Sequence, residues 1–451
     1  TLRMGPPAVI AFAAATLLAF CGAPPRLLGQ EAPLAVAEGV ELGLLYGAPL
    51  TRSLVVRPFV ATDSSDERAL ETEAGRVEAI ILRDLDLSDR FLVRRALEVH
   101  GAPPLDYSVW DVLGVDFVVS GFLEAGQEGS NLRLGVYDVV FGAPLQVAVF
   151  PLPPSSSASF RLAVHLVSDA IVTWITKEPG MAASRIVFAR ARGDRGYDIV
   201  SVDSDGEGEG RLARHAGIAL SPTWSPGGAR IAYTAMTEEA TYDIVELDVG
   251  DGRSRTFAPR RGLVMTPAWS SDGSRLAVAI SEGSREDLHE FDPVSGLLRL
   301  VERSAMEPSY APDGLRLAFS SDRLGPSQVW VTVLPGSDPV LVSPWEARNR
   351  SSYHAPDWSP DGRSIAFHGG GVLHFQILVA DANGRREPRQ ITWEGWSESP
   401  SWAPDARHLV VHGSREGRDG LYVLDAVTGR TRLLVAGSGV RTPDWSPGLG
   451  G

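Results

Sequence analysis

Apolar residues in the C-terminal three-fifths of the chain come in short unbroken blocks: Ile231-Ala-Tyr233, Leu276-Ala-Val278, Leu317-Ala-Phe319, Ile365-Ala-Phe367 and Leu409-Val-Val411. Blocks of this length without a polar interruption predict strands buried on both faces. Ahead of each stands one phrase, fullest at Pro356-Asp-Trp-Ser-Pro-Asp-Gly362, and its copies begin at Pro222, Pro267, Pro308, Pro400 and Pro443. Successive copies are 45, 41, 48, 44 and 43 residues apart. Within the phrase, Ser359-Pro360-Asp361-Gly362 fits a type I turn, with Ser first, Pro preset for the second position and Gly fourth. Each copy therefore predicts a hairpin: a strand ending in an aromatic (Trp224, Trp269, Tyr310, Trp358, Trp402, Trp445), a turn, then the apolar strand.

A third strand follows in most repeats, at 243–247, 328–331, 375–379 and 420–424, and its turn often contains glycine, as at Gly250-Asp-Gly252, Asn383-Gly384 and Thr428-Gly429. A period of about 40 to 50 residues is what four short strands and their turns consume, so the repeat predicts the blades of a β-propeller. The sixth copy supplies only Pro443-Asp-Trp-Ser446. Its missing strands are expected from the start of the array, where Arg185-Ile-Val-Phe-Ala189 and Tyr197-Asp-Ile-Val-Ser201 have no Pro-x-Trp phrase before them. The expectation is six blades in a ring closed by its own ends, which removes exposed sheet edges.

Before the repeats the pattern changes. Leu70, Ala74, Val77, Ile81 and Leu85 recur at helical spacing, behind Ser64-Ser-Asp-Glu67 as a capping box. Strands are expected at 53–60, 91–93, 117–122, 132–140 and 145–150, and a last helix at 160–176. Residues 53–180 thus read as a small α/β domain, and 181–451 as the propeller. Residues 34–52 are loosely patterned, a strand or a mobile arm, so 31–52 is expected to be a flexible N-terminal segment. Residues 1–30 read as a secretory signal: Arg3, then an apolar core from Ala8 to Phe20. Cys21 follows Phe20 rather than a small residue, which argues against lipidation there.

Composition narrows the function. The net charge of −14 argues against a general phosphate-binding surface, so no nucleic-acid partner is expected. Cys21 is the single cysteine, which excludes intramolecular disulfides and thiolate metal clusters. No Gly-x-Ser-x-Gly elbow and no His-Glu-x-x-His occurs, so no catalytic residue is assigned. His354, His368 and His374 are near in sequence, but scattered histidines more often serve in loops or cores, and no metal or other cofactor is expected. Asp203-Ser-Asp-Gly-Glu-Gly-Glu209 imitates the start of a calcium loop but lacks its terminal Glu, and reads as a turn.

A signal peptide, a small α/β domain containing Gly114-Val-Asp-Phe-Val-Val-Ser-Gly121, and six Pro-x-Trp-Ser-Pro-Asp-Gly repeats in this order resemble the TolB family. Arg389-Gln-Ile-Thr-Trp-Glu-Gly395 and Pro443-Asp-Trp-Ser-Pro447 add to the likeness, while the loosely matching 34–52 and Ala406 in place of the turn glycine depart from it. The resemblance implies a non-enzymatic periplasmic adaptor of the Tol-Pal envelope system, supporting outer-membrane integrity and division. It implies binding of the lipoprotein Pal at the propeller mouth and of TolA through the arm, with membranes met only through partners; a monomer is expected.

The residues ahead of each inner strand are expected to converge on that mouth: Met265, Thr266, Met306, Glu307, Tyr353, His354, Glu398, Ser399, Arg441 and Thr442. Glu307 and Arg441 match polar positions of the family's Pal-facing mouth. The alternative class is a secreted propeller that binds or processes glycans, with Trp393 and Trp396 as the free aromatics.

Overall fold

The computed structural model describes residues 51–62, 67–96, 105–193, 196–237, 241–257, 263–283, 285–335, 337–345, 351–370 and 374–450. The signal stretch, the arm up to residue 50 and the capping residues 64–66 lie outside them.

The first layer is a six-stranded sheet with two long helices on one face and a short one on the other. Its strands are β1 (Arg52–Val56), β2 (Val60–Ala61), β3 (Phe91–Arg95), β4 (Phe117–Ala125), β5 (Ser130–Asp138) and β6 (Ala143–Leu152), in the order β3-β1-β4-β5-β6 with β2 beside β4. Helix α1 (Glu67–Leu87) buries the stripe its sequence promises: Ala74, Val77, Ile81 and Leu85 are fully buried and Leu70 partly so. Helix α3 (Phe160–Thr176) adds Val164, Val167 and Ile171, and both helices pack on Leu54, Val56, Val119, Leu132, Leu134 and Val136.

Two features differ from expectation. The strand expected over 53–60 stops at Val56, because Pro58 has no N–H for the ladder. The chain also forms a short helix, α2 (Tyr107–Val112), capped by Asp106, whose carboxylate accepts the Ser108 N–H at 3.1 Å. Six residues are too few for a hydrophobic period to show.

The rest of the described chain is six four-stranded antiparallel sheets. Blade one comprises residues 219–257, blade two 263–302, blade three 306–341, blade four 352–390 and blade five 396–436. Blade six takes its inner strand, Val440–Trp445, from the end of the chain and Arg185–Ala191, Tyr197–Asp203 and Gly210–His215 from the start of the array. The ring closes as its truncated sixth phrase requires. The post-turn blocks are buried on both faces, with Ile231, Ala232, Leu317, Phe319, Ile365 and Phe367 inaccessible.

The phrase turn forms as expected. The Gly362 N–H donates to the Ser359 carbonyl at 2.9 Å, and Gly362 sits at φ 71°. Gly228, Gly273 and Gly314 occupy the same place at φ 68° to 70°, whereas blade five puts Ala406 there at φ 53°. The Asp203 stretch is likewise a turn, with the Gly206 N–H on the Asp203 carbonyl and the Asp203 carboxylate held by Arg161 and Arg185.

Candidate functional site

The inner strands share one irregularity. In each, the ladder slips: between Leu220 and Thr223, Met265 and Ala268, Met306 and Ser309, His354 and Asp357, Glu398 and Ser401, and Arg441 and Asp444. At each slip the residue before the proline is left-handed: Ser221 at φ 52°, Thr266 at 47°, Glu307 at 52°, Ala355 at 46°, Ser399 at 50° and Thr442 at 44°. None is glycine, so each costs on the order of 1 kcal/mol. Strain of this kind persists only where surrounding bonds over-determine it. The Ser221 N–H donates to Thr442 Oγ1 at 3.0 Å, the Ala355 N–H to Glu307 Oε2 at 2.8 Å and the Ser399 N–H to His368 Nδ1 at 3.2 Å.

These bulges line a channel of about 280 Å³ on the ring axis, to which all six inner strands contribute. Thr266, Glu307, Ser399 and Thr442 stand on its wall. They lie inside the strands, at the bulges, rather than ahead of them as the repeat suggested. Met265 is half-buried beside Thr266, and Arg441 is exposed. Met306 instead lines a separate hollow with Glu286, Ser304 and Asp322. Tyr353 is buried within its blade, its ring edge-on to Phe367 with centroids 5.7 Å apart. An aromatic at that position packs between strands more readily than it stands in water, and periodicity alone cannot tell the two apart.

One sector gathers the titratable groups. Glu307 accepts the Ser320 hydroxyl at 2.7 Å and lies 3.7 Å from His354 Nδ1. Burial alone would raise its carboxyl, but the adjacent His354 and His368 imidazoles bring it down to about 2. His354 and His368 stack with ring centroids 5.6 Å apart. Burial lowers His368 to about 4, so its Nδ1 stays an acceptor for the Ser399 N–H. Glu398 meets His412 Nδ1 at 2.9 Å, and Trp396 packs edge-on to that imidazole. Trp393 is 76% exposed.

The middle residue of Pro-x-Trp, which periodicity does not single out, links the blades. Ser309 Oγ accepts the Trp358 N–H at 3.0 Å, Asp357 that of Trp402 at 2.7 Å, Ser401 that of Trp445 at 3.0 Å and Asp444 that of Trp224 at 2.7 Å. Each bond runs from one blade to the next. Burial raises Asp357 to about 6, and burial with the Asp357 charge raises Asp444 to about 7. The available signal was a polar residue, Thr223, Ser309, Asp357, Ser401 or Asp444, between two apolar ones in a buried strand; Ala268 breaks the series.

Two further acid and histidine groups have ligand atoms within 4.8 Å of one another: Asp84 with His165 and Asp205, and Asp89 with His408 and Asp425. Guanidinium groups already neutralise both, through Arg161 on Asp205 at 2.7 Å and Arg430 on Asp89 at 2.6 Å. They tie α1, the turn that follows it and α3 to the propeller rather than opening a site.

A family model described as the TolB beta propeller domain matches residues 172–449. The Tol-Pal system protein TolB of Thioalkalivibrio sulfidiphilus is 30% identical over 207 residues, 45% of this chain and 47% of that protein. That of Methylococcus capsulatus is 32% identical over 163 residues, 35% of this chain and 38% of that protein. The chain thus spans about half the length, or less, of these curated relatives. The crystal structure of TolB from Acinetobacter baumannii superposes with a TM-score of 0.75 at 22% identity, covering 88% of this chain and 97% of that one, a likeness of fold.

Proposed function

This chain belongs to the TolB propeller family, and from that premise we propose that it is the propeller component of a Tol-Pal envelope system. It acts in the periplasm as an adaptor that catalyses no reaction. The propeller mouth binds the lipoprotein Pal, the N-terminal arm, residues 31–52, binds TolA, and the linkage supports outer-membrane integrity and constriction at division.

The observation that carries this reading is the ring of six left-handed bulges. Strained backbone repeated around one axis, fixed by hydrogen bonds between blades, holds a rigid, chemically varied rim in place. Rigid presentation limits the ordering cost of association, which favours a docking surface. Thr266, Glu307, Ser399 and Thr442 open on the channel, and Met265 and Arg441 lie beside them, so these residues supply the Pal contact. His354, facing Glu307, and Glu398, bonded to His412, stand next to these bulges and belong to the same surface.

Calorimetric titration of the mature protein with the periplasmic domain of Pal from the same genome tests the proposal. Binding at micromolar affinity or tighter, about 8 kcal/mol or more, is expected. Absence of binding, together with retention on a glycan column and elution by free sugar, overturns it in favour of a glycan-binding propeller.

A further inference from the structure

Of the two tryptophans that stand outside the repeated phrase in the link after blade four, Trp396 packs on His412, while Trp393 is exposed. A single exposed apolar side chain needs no explanation by itself. This one is held in place. It lies between Thr392 and Gly395, and both are fixed. Thr392 Oγ1 donates to Gln376 Oε1 at 2.6 Å and accepts the Ile377 N–H at 2.9 Å, and Gln376 Nε2 donates to the Gly395 carbonyl at 2.9 Å. Gly395 packs so closely that a Cβ there would stand 1.8 Å from the Ser414 carbonyl oxygen. The indole is thus presented to solvent from a pinned loop, which lowers the ordering cost of binding.

Trp393 borders a cleft of about 690 Å³, a volume usual for a ligand site. The cleft opens where the outer strand of blade four, Arg389–Gln390, is only two residues long and leaves the flank of blade five uncovered. It follows the blade five strand Arg418–Asp425 and the turn after it as far as Thr428, a groove of roughly 25 Å. Strand pairing puts Arg415 and Arg418 at the end where Trp393 stands, and Arg389 is bonded to the Ala426 carbonyl toward the other.

Among the described residues these three guanidiniums form no ion pair. Arg415 lies 4.8 Å over the Tyr422 ring and donates to Ser397 Oγ at 2.8 Å, while its Nη1 has no hydrogen-bond partner. Arg389 and Arg418 are exposed. Guanidinium forks match carboxylates. The negative face of an indole attracts the weakly positive C–H face of a pyranose ring. Thr428, Thr431, Glu394 and Glu416, also on the wall, can pair with sugar hydroxyls. A polyphosphate would meet the two glutamates, and a peptide strand finds little open backbone on a two-residue outer strand.

We propose that the cleft between blades four and five binds an oligosaccharide that carries carboxylates. One sugar ring stacks on Trp393 with its carboxylate on Arg418, and a later carboxylate along the chain meets Arg389. The cleft shares no lining residue with the axial channel, so this site does not rest on the Pal reading.

The test is calorimetric titration of the full mature chain with a tetrasaccharide of alternating glucuronate and N-acetylglucosamine. Neutral chitotetraose and sugar-free tetraglutamate are the comparisons. Saturable binding of the acidic tetrasaccharide is expected, at least about tenfold tighter than either comparison. Trp393→Ala, with melting unchanged, should weaken it at least about tenfold. Arg418→Gln should remove most of the preference over chitotetraose and leave chitotetraose binding within about twofold. Pal binding by both variants should equal that of wild type, so failure at this cleft and failure at the mouth are told apart. No saturable binding, or binding indifferent to Trp393→Ala, overturns the proposal. Equal binding of chitotetraose overturns the role of the carboxylate, and equal binding of tetraglutamate overturns the proposal in favour of an acidic peptide.

Discussion

The Asp444 carboxylate accepts the backbone N–H of Trp224 at 2.7 Å, joining the last inner strand of the chain to the first across 220 residues of sequence. Its other oxygen meets the Ser401 hydroxyl at 3.3 Å. Closure of the ring therefore rests on side chain to main chain bonds as well as on strand pairing. At pH 5 Asp444→Ala, which leaves the Trp224 N–H without its acceptor, should cost about 1 to 3 kcal/mol, read by urea denaturation. Asp444→Asn keeps an acceptor oxygen and should cost less.

The same residue sets a pH dependence. Its folded carboxyl titrates at about 7, against about 3.9 for an Asp in an unfolded chain. The folded state thus holds a proton that the unfolded state has released. The resulting stabilisation is full below the unfolded value and is lost as pH rises through about 7. Asp444→Asn cannot titrate, so the stability advantage of wild type over this variant should shrink between pH 5 and pH 8. Paired melts at the two pH values read the difference, in which the opposite contribution of His368 cancels; a constant difference would refute the assignment.

Ala406 carries a cost that the other blades avoid. It stands at φ 53°, where four other turns have glycine. Left-handed backbone is disfavoured for an L side chain by roughly 1 to 2 kcal/mol, offset in part by the greater unfolded-state freedom of glycine. Ala406→Gly should stabilise by about 0.5 to 1 kcal/mol, seen as a higher melting temperature.

What the sequence made legible follows from periodicity. Six phrases at near-constant spacing announced six blades, and the truncated sixth phrase announced how they close. The helical stripe from Leu70 to Leu85 was equally plain. Periodicity says that a position recurs, not which way its side chain turns, so it points Tyr353 to the rim, whereas the ring packs against Phe367. It also passes over positions whose role is to bond a neighbour brought close only by closure, which is why Asp357 and Asp444 went unmarked. The charged contacts between the turn after α1 and blade five join residues more than 300 apart, and no local pattern encodes such a pairing.

Those contacts centre on Asp89. Its carboxylate meets Arg430 at 2.6 Å, Arg432 at 3.4 Å and His408 at 3.3 Å, and the side chain is 5% exposed. Burial lowers the basicity of His408, but the adjacent Asp405 and Asp89 more than offset it and leave the imidazole more basic than usual. Asp89→Ala would leave these cations without one of their counter-charges, at a cost of about 3 to 5 kcal/mol. Urea denaturation should show an earlier transition for the α/β layer, while the propeller keeps its own midpoint.

If the propeller mouth binds Pal as proposed, Glu307 and Arg441 should fail in different ways. Glu307 receives the Ser320 hydroxyl and the Ala355 N–H and so braces the bulges of blades three and four. Arg441 is exposed, and among the described residues no hydrogen bond or ion pair holds its guanidinium. Glu307→Ala should lower both the melting temperature and the Pal affinity, since the surface it supports loosens. Arg441→Ala should leave melting unchanged and weaken Pal binding by about tenfold, the loss of one contact worth a little over 1 kcal/mol. A rim charge acts largely on association, so the loss should fall mainly on the on-rate and diminish as salt is raised. Stopped-flow association at two ionic strengths separates the two, and an Arg441→Ala protein that binds Pal as wild type does removes this residue from the mouth.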